Sequence, residues 1–329
     1  LTATVSPANG GGNIVPLATT YSWGLPITSG GITGATAQTG QASFSQTLTN
    51  TTGSQQTATY SVTAVTNGCS SSTFTVTVYV DPRPTVAVSP PLPLPICSGG
   101  TINLTPSNPN SVSGSIDYNW SRNIIAGVTG LTSGTGTISG ILTNTTNAPQ
   151  TVTFTITATS NAGCISIAPA TVNVTVNPIP TVTVTNATQT ICSDAAITAI
   201  GLTPAPNNVA GTTFSWNGGN NSNITGILAG SGTSITGTLV NSTNTIQTTT
   251  YTITASANGC NSVVATATIT VKPKPTITAT PPTQEICGGS AIANIVPSSN
   301  LGSTFTWTSS NPAAGISNGS GTVISGILN

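Results

Sequence analysis

The chain has 329 residues, with four basic side chains, four acidic ones and no histidine, so its formal net charge is zero. With only 2% of residues charged, it has no electrostatic footprint for nucleic acid or an anionic membrane, and few of the groups that acid–base catalysis needs. Hydrophobic residues make up 36%, and 35 glycines and 23 prolines punctuate a remainder rich in Thr, Ser and Asn, the composition of a folded all-β protein rather than a disordered one. No apolar run approaches the roughly 18 residues of a spanning helix, so direct membrane insertion is not expected. No signal peptide is recognisable, and the start at Leu1 reads as a processed product or a window on a longer protein. Near-zero charge favours association, which suits a protein that sits in an assembly.

In chain order the first landmark is Tyr21-Ser22-Trp23, followed by a Gly-Cys pair at Cys69 and a proline joint with Pro82 and Pro84. A second cycle then begins. Ile96-Cys97, Tyr118-Asn119-Trp120, Gly-Cys at Cys164, and Pro178 with Pro180 repeat the order. A third cycle has Ile191-Cys192, Phe214-Ser215-Trp216, Cys260, and Pro273 with Pro275, and a fourth has Ile286-Cys287 and Phe305-Thr306-Trp307. The three Ile-Cys pairs are each 95 residues apart, and the tryptophans are 97, 96 and 91 apart. One period shared by independent landmarks identifies a tandem repeat. The expected modules are residues 1–81, 82–177, 178–272 and 273–329.

Within residues 82–177 the reading is a seven-stranded module. Strand A covers 85–89, and a proline-rich kink leads to Ile96-Cys97. Strand B covers 101–105 with Ile102 and Leu104 facing in, and a third strand carries Tyr118 and Trp120 on one face. Residues 138–142 form a further strand. The clearest signal is 151–159, where Val152, Phe154, Ile156 and Ala158 alternate with threonines, as a half-buried strand requires. A hairpin at 161–164, a strand through Val172, Val174 and Val176, and a new strand with Val182 and Val184 follow. Seven short strands with an inward Trp on the third predict an immunoglobulin-like β-sandwich, and tandem copies predict an elongated array. Residues 1–81 lack the first strand and 273–329 stop before the last ones, leaving core and edge exposed. This predicts either a window on a longer array or completion by neighbouring chains.

The order I-C-S-G, F-x-W, G-x-L-T-N, T-Y-T-I-T-A, N-G-C and V-x-V-N-P-x-P-T resembles the PKD-like, immunoglobulin-type repeats of very large Bacteroidota surface proteins. These include gliding-motility adhesins exported by the type 9 secretion system. The resemblance covers essentially the whole chain. It implies an extracellular, cell-surface location and a stalk-like role; the sorting domain of that export route is absent from these 329 residues.

The titratable residues Asp81, Asp117, Asp194, Glu285, Arg83, Arg122, Lys272 and Lys274 fall at different phases of the repeat, so no catalytic triad, carboxylate pair, metal site or cofactor is expected. Trp23, Trp120, Trp216 and Trp307 are expected in the core rather than as sugar-stacking platforms. The Thr rows at 151–159 and 181–185 read as exposed strand positions rather than an ice- or glycan-binding face. Gly10-Gly11-Gly12 and Gly218-Gly219 read as loops. Six evenly recurring cysteines, Cys69, Cys97, Cys164, Cys192, Cys260 and Cys287, predict disulfides and an oxidising compartment. Locality favours Cys97–Cys164 and Cys192–Cys260 within modules. Sandwich topology favours Cys97–Cys260 between modules, because a nine-residue strand of about 30 Å separates the two cysteines of one module, against a limit of about 7 Å between bridged Cα atoms. Both pairings stay open at this stage. The reading is the non-catalytic shaft of a cell-surface adhesin, whose partners are neighbouring modules of the same or identical chains, with surface glycans or other cells as further candidates. A self-assembling filament or surface-layer subunit, and a glycan- or ice-binding module, are the alternatives.

Overall fold

The computed structural model describes residues 2–5, 15–90 and 94–329, and they are almost entirely β-strand and loop. Among them the one helical element is the short 3-10 turn Pro312–Ala314. Two compact units divide the chain, Leu1–Pro178 and Ile179–Asn329.

In the first unit, the strand Gln150–Ser160 shows most directly how sequence becomes fold. Val152, Phe154, Ile156 and Ala158 are fully buried, while the threonines between them line the outer face. There, hydroxyls pair across strands, Thr151 with Thr175 at 3.4 Å and Thr153 with Asn173 at 2.8 Å. Such cross-strand pairs are the unit of sheet stabilisation. Gln150–Ser160 runs antiparallel to Ile116–Arg122 on one side and to Ala170–Asn177 on the other. Leu94–Cys97 and Ser133–Thr135 complete a five-stranded sheet. The facing sheet has four strands in the order Ala87–Ser89, Gly100–Ser107, Ile138–Asn144 and Val128–Gly130. Between the sheets, Ile102, Leu104, Trp120, Ile138, Leu142, Phe154 and Ile156 form one core, each large side chain contributing roughly 1.5–3 kcal/mol by burial.

This is the expected immunoglobulin-like sandwich, but with nine strands rather than seven. Its first strand is shorter than expected, Ala87–Ser89, because the N–H of Thr85 donates to the Asn108 side chain instead of a neighbouring strand. The second, Gly100–Ser107, is longer. The segment ending in Ile96-Cys97, expected only as a kink, is a true strand paired in parallel with Ala170–Asn177. Prolines cannot continue a ladder, so the chain leaves one sheet after Ser89 and joins the other at Leu94. Residues 91–93 of that kink lie outside the described residues.

Elsewhere in the first unit, Gln56–Thr66 pairs with Thr20–Trp23 and Phe74–Val80 around a core of Trp23, Phe44, Leu48, Tyr60 and Val62. Thr2–Val5 pairs with Phe44–Thr47. Gly10-Gly11-Gly12 lie outside the described residues. The second unit repeats the sandwich around Gln247–Ala257, with Thr188–Cys192 again parallel to the last strand, Ala265–Lys272. Its core includes Ile200, Leu202, Phe214, Ile235, Leu239, Tyr251 and Ile253. Gly218-Gly219 lies in a loop, as expected. Beyond Lys272 the pairs Ile277–Thr280 with Val296–Ser299 and Thr306–Trp307 with Gly319–Ser320 form two small sheets.

Candidate functional site

The residues that recur at fixed phase converge on the ends of the modules. Proline joints lack the N–H groups that a continuous ladder needs, and asparagine side chains supply hydrogen bonds there instead. The N–H of Thr85, Thr181 and Thr276 donates to Oδ1 of Asn108, Asn207 and Asn300 at 2.9, 3.2 and 2.8 Å. Nδ2 of Asn110 donates to the Arg83 carbonyl at 2.8 Å, and Nδ2 of Asn207 to that of Ile179 at 2.6 Å. Pro82, Pro84, Pro178 and Pro180 are buried, Pro273 is half-buried and Pro275 is exposed.

The first joint carries further hydrogen bonds, all inside the first unit. Arg83 donates to the carbonyls of Ile165 and Ser166 at 2.7 and 3.4 Å. Gln55 donates to Asp81 and to Ser113, each at 2.9 Å, and the N–H of Ser111 donates to the Gly53 carbonyl at 2.8 Å. Beside these contacts lies an open cavity of about 380 Å3, lined by Leu48, Asn50, Val80, Asp81, Arg83 and Cys164 among others. In the second unit Lys274 contacts Asp194 at 3.0 Å, with the two side chains 66% and 50% exposed, a pair of little energetic weight.

The cysteines sort by which end of a sandwich they occupy. Cys97 lies opposite Asn177, where Gln150 begins the central strand, whereas Cys164 follows Ser160 at that strand's other end. The same holds for Cys192, opposite Lys272, and Cys260, which pairs with Ala257. Strands of eleven residues span about 36 Å at 3.3 Å each, so neither local pair can form. Cys164 and Cys192 are accordingly free, as are Cys69 and Cys287, and the expected Cys97–Cys164 and Cys192–Cys260 bonds are absent. Cys97 and Cys260 are disulfide-bonded.

Two recurring features escaped the sequence reading. Asn50, Asn144 and Asn241 are buried, and each donates Nδ2 to the carbonyl of the last buried valine of its sandwich, Val80, Val176 or Val271, at 2.8–2.9 Å. Each Oδ1 in turn accepts from the N–H and hydroxyl of Thr52, Thr146 or Thr243. The visible signal was Asn-x-Thr followed by Gln at fixed offset, recurring once per repeat. Gly134, Gly230 and Gly319 form the second feature. A Cβ on any of them would lie 2.5, 2.8 or 2.7 Å from Cζ2 of Trp120, Trp216 or Trp307, so each glycine lets a strand cross directly over an indole ring. Its trace is a Gly-x-Gly (Gly-Thr-Gly or Gly-Ser-Gly) that follows each of these tryptophans.

Trp23 and Trp120 are buried core residues, whereas Trp216 and Trp307 are half-buried and donate Nε1–H to the carbonyls of Leu228 and Ser317 at 3.2 Å. Buried rings cannot stack on a sugar. Arg122 is buried and held by the carbonyls of Leu131, Asn123 and Val128. Burial pushes the Tyr60, Tyr118 and Tyr251 hydroxyls above the ordinary tyrosine range. Among the described residues, no three His, Cys, Asp or Glu side chains cluster as metal ligands would, and no helix is long and apolar enough to cross a membrane.

A family model described as a PKD-like domain matches residues 12–84, 95–180 and 189–275, well over half of the chain. The chain belongs to the PKD-like domain family. PKD-like domains are typically non-catalytic structural modules. No curated protein matches. Solved structures similar to these PKD-like modules include the human desmocollin-1 ectodomain, at 11% identity and TM-score 0.25, covering 95% of this chain and 66% of that one. The protocadherin γB4 extracellular domain matches at 13% and 0.26, over 95% of this chain and 56% of that one. Mouse cadherin-23 EC22-24 matches at 14% and 0.27, over 78% and 86%. The chain thus spans about two thirds or less of the first two.

Proposed function

We propose that the PKD-like modules form the load-bearing shaft of an extracellular adhesin at a cell surface, of the kind found in large Bacteroidota surface proteins, with adhesion carried by other parts of the assembly. The observation that supports this reading is the state of the cysteines. The two bonded ones, Cys97 and Cys260, belong to different repeats, while their counterparts within those repeats, Cys164 and Cys192, are free. A Cys97–Cys260 bond clips one module to the next across the joint Asn177-Pro178-Ile179-Pro180, so that a pull along the chain meets a covalent stop. The boundaries 1–81, 82–177, 178–272 and 273–329 are the mechanical units of this reading. Disulfides of this kind belong outside the reducing cytoplasm. Neighbouring modules of the same or identical chains are the proposed partners, and surface glycans or other cells lie beyond the shaft.

Non-reducing peptide mapping and single-molecule stretching test the proposal together. Mapping should recover a peptide linking Cys97 to Cys260, and a Cys97–Cys164 peptide would refute the clip. Stretching should show roughly 160 residues, about 560 Å at 3.5 Å per residue, hidden behind the bond and released on reduction. Equal contour lengths with and without reductant would refute the load-bearing role.

A further inference from the structure

The first two PKD-like matches, residues 12–84 and 95–180, lie in one compact unit and meet at the joint 81–84. On the near side of that joint, Asn50 Nδ2 donates to the Val80 carbonyl at 2.8 Å, which fixes the chain where Phe74–Val80 ends. On the far side, Asn110 Nδ2 donates to the Arg83 carbonyl at 2.8 Å, and the Arg83 side chain donates to the carbonyls of Ile165 and Ser166. Only Asp81 and Pro82 stand between these two anchors. Proline fixes its own φ and keeps the residue before it extended. Rotation about ψ of Pro82 is left, and by itself would let one sandwich swing against the other.

Two loops cross this pivot. The first, residues 51–55, lies between Thr49–Asn50 and Gln56–Thr66 and is shaped by the buried Asn50. Asn50 Nδ2 also donates to the Ser54 carbonyl at 2.7 Å, and its Oδ1 accepts from the Thr52 N–H at 2.8 Å. The second, residues 108–115, lies between Gly100–Ser107 and Ile116–Arg122 and is shaped by Asn108, whose Nδ2 donates to the Asn110 carbonyl at 2.7 Å. They meet as a parallel β-bridge, Ser54 opposite Ser111, with the Ser111 N–H donating to the Gly53 carbonyl at 2.8 Å. Gln55 Nε2 spans the pivot, donating to the Ser113 hydroxyl and to the Asp81 carboxylate, each at 2.9 Å. Equivalent loops meet in the second unit, where Asn300 Nδ2 donates to Asn244 Oδ1 at 2.7 Å.

We propose that this bridge is a latch that makes the first two sandwiches one rigid body, with Gln55 bracing it and Asn50 positioning the loop that carries it. Small polar contacts between domains leave relative motion as the default. Here the contact has little left to restrain, because the anchors at Val80 and Arg83 already hold the chain on both sides. One asparagine, Asn50, therefore ties the end of its own sandwich to the loop that grips the next. The latch rests on the shaft reading for its use, a joint that keeps its direction under load, but its geometry needs no disulfide.

The test places spin-labelled noncanonical residues at Thr39 and Ser139, exposed positions on either side of the joint, in the full-length chain. Pulsed electron–electron distance measurement should give a distribution as narrow as that of a control pair within the second sandwich, at Ser139 and Thr171. Gln55→Glu, which sets a carboxylate beside Asp81, should broaden the distribution across the joint by about twofold and leave the control unchanged. Gln55→Ile, which installs the residue that the third repeat carries as Ile246, should act in the same direction. Gln55 is exposed, so both variants should fold. In each, amide exchange at Ser111 should accelerate about tenfold, while the Val112 amide, bonded to the Asn110 carbonyl inside the same loop at 3.0 Å, should keep its rate. Reductant should change none of these values, which separates failure of the latch from failure of the disulfide clip. The proposal is overturned by a parent distribution broader than the control, by variants that alter neither width nor Ser111 exchange, which would leave the prolines as the whole cause of stiffness, or by Ser111 exchange that rises only together with that of Val112.

Discussion

Replacing Asn144 with alanine tests the reasoning about the recurring buried asparagine most directly. Its Nδ2 donates to the carbonyls of Ala148 and Val176, both at 2.8 Å, and its Oδ1 accepts from the N–H and hydroxyl of Thr146 at 2.9 and 2.7 Å. Asn144→Ala deprives two of these groups of their partner, the Val176 carbonyl in a buried position and the Thr146 N–H in a partly buried one. An unsatisfied buried group costs about 1–3 kcal/mol, so about 2–6 kcal/mol is the range for the two. Asn144→Asp should be no better, because it keeps the acceptor for Thr146 but turns a carboxylate oxygen towards two carbonyls. Whole-chain unfolding of a multi-module protein is not two-state, so the readout must be local. Amide hydrogen exchange of Gln150–Ser160, followed by mass spectrometry in the intact chain, should accelerate about 150-fold for a loss of about 3 kcal/mol. The amides of Gln247–Ala257 should be unaffected, and Asn241→Ala should reverse the two outcomes. Exchange within about threefold of the parent at Gln150–Ser160 would refute the assignment, because it would mean that water or a shifted loop satisfies these groups at no cost.

Gly134→Ala places a methyl group 2.5 Å from the Trp120 ring and should destabilise its module by about 1–3 kcal/mol, with a shift in Trp emission; an unchanged spectrum and stability would show that the ring yields freely. Tyr60 is a buried hydroxyl without a hydrogen-bond partner and its pKa is raised by burial, so the folded state holds its proton more tightly than the unfolded chain. Its contribution is therefore full below pH 10 and is lost as pH rises through the higher folded value, and Tyr60→Phe should flatten that alkaline loss in urea titrations without lowering stability at pH 7. Lys274→Ala removes an exposed ion pair and should change stability by no more than about 1 kcal/mol, less still at 1 M salt. Thiol titration of the native, unreduced chain should find Cys69, Cys164, Cys192 and Cys287 reactive, with Cys97 and Cys260 appearing only after reduction; six reactive thiols before reduction would contradict the bonded pair.

The alternation of apolar and Thr residues at 151–159 and the period shared by Trp, Cys and Pro were enough to read the strands, the sandwich and the repeat. Both patterns are local, and burial of one strand face follows from period two without knowledge of the partners. The segment ending in Ile96-Cys97 was not legible as a strand, because its pairing is parallel and with residues about 80 positions away. The role of Asn144 was missed for a similar reason, although its Asn-x-Thr pattern recurs in the sequence. In sequence it is one of many asparagines, and only the loop that folds over the last strand makes its amide necessary. Gly134 reads as a loop glycine until Trp120 lies under it.

Composition and spacing alone determined that this chain is an all-β tandem repeat, since those properties depend only on which residues are present and how often they recur. Which cysteines can bond was decided by tertiary structure. The spacing of Cys97 and Cys164 invites a local bond, but the strand that separates them is about 36 Å long. Distance in the fold therefore rules out the pair that proximity in sequence favours, and Cys164 is free.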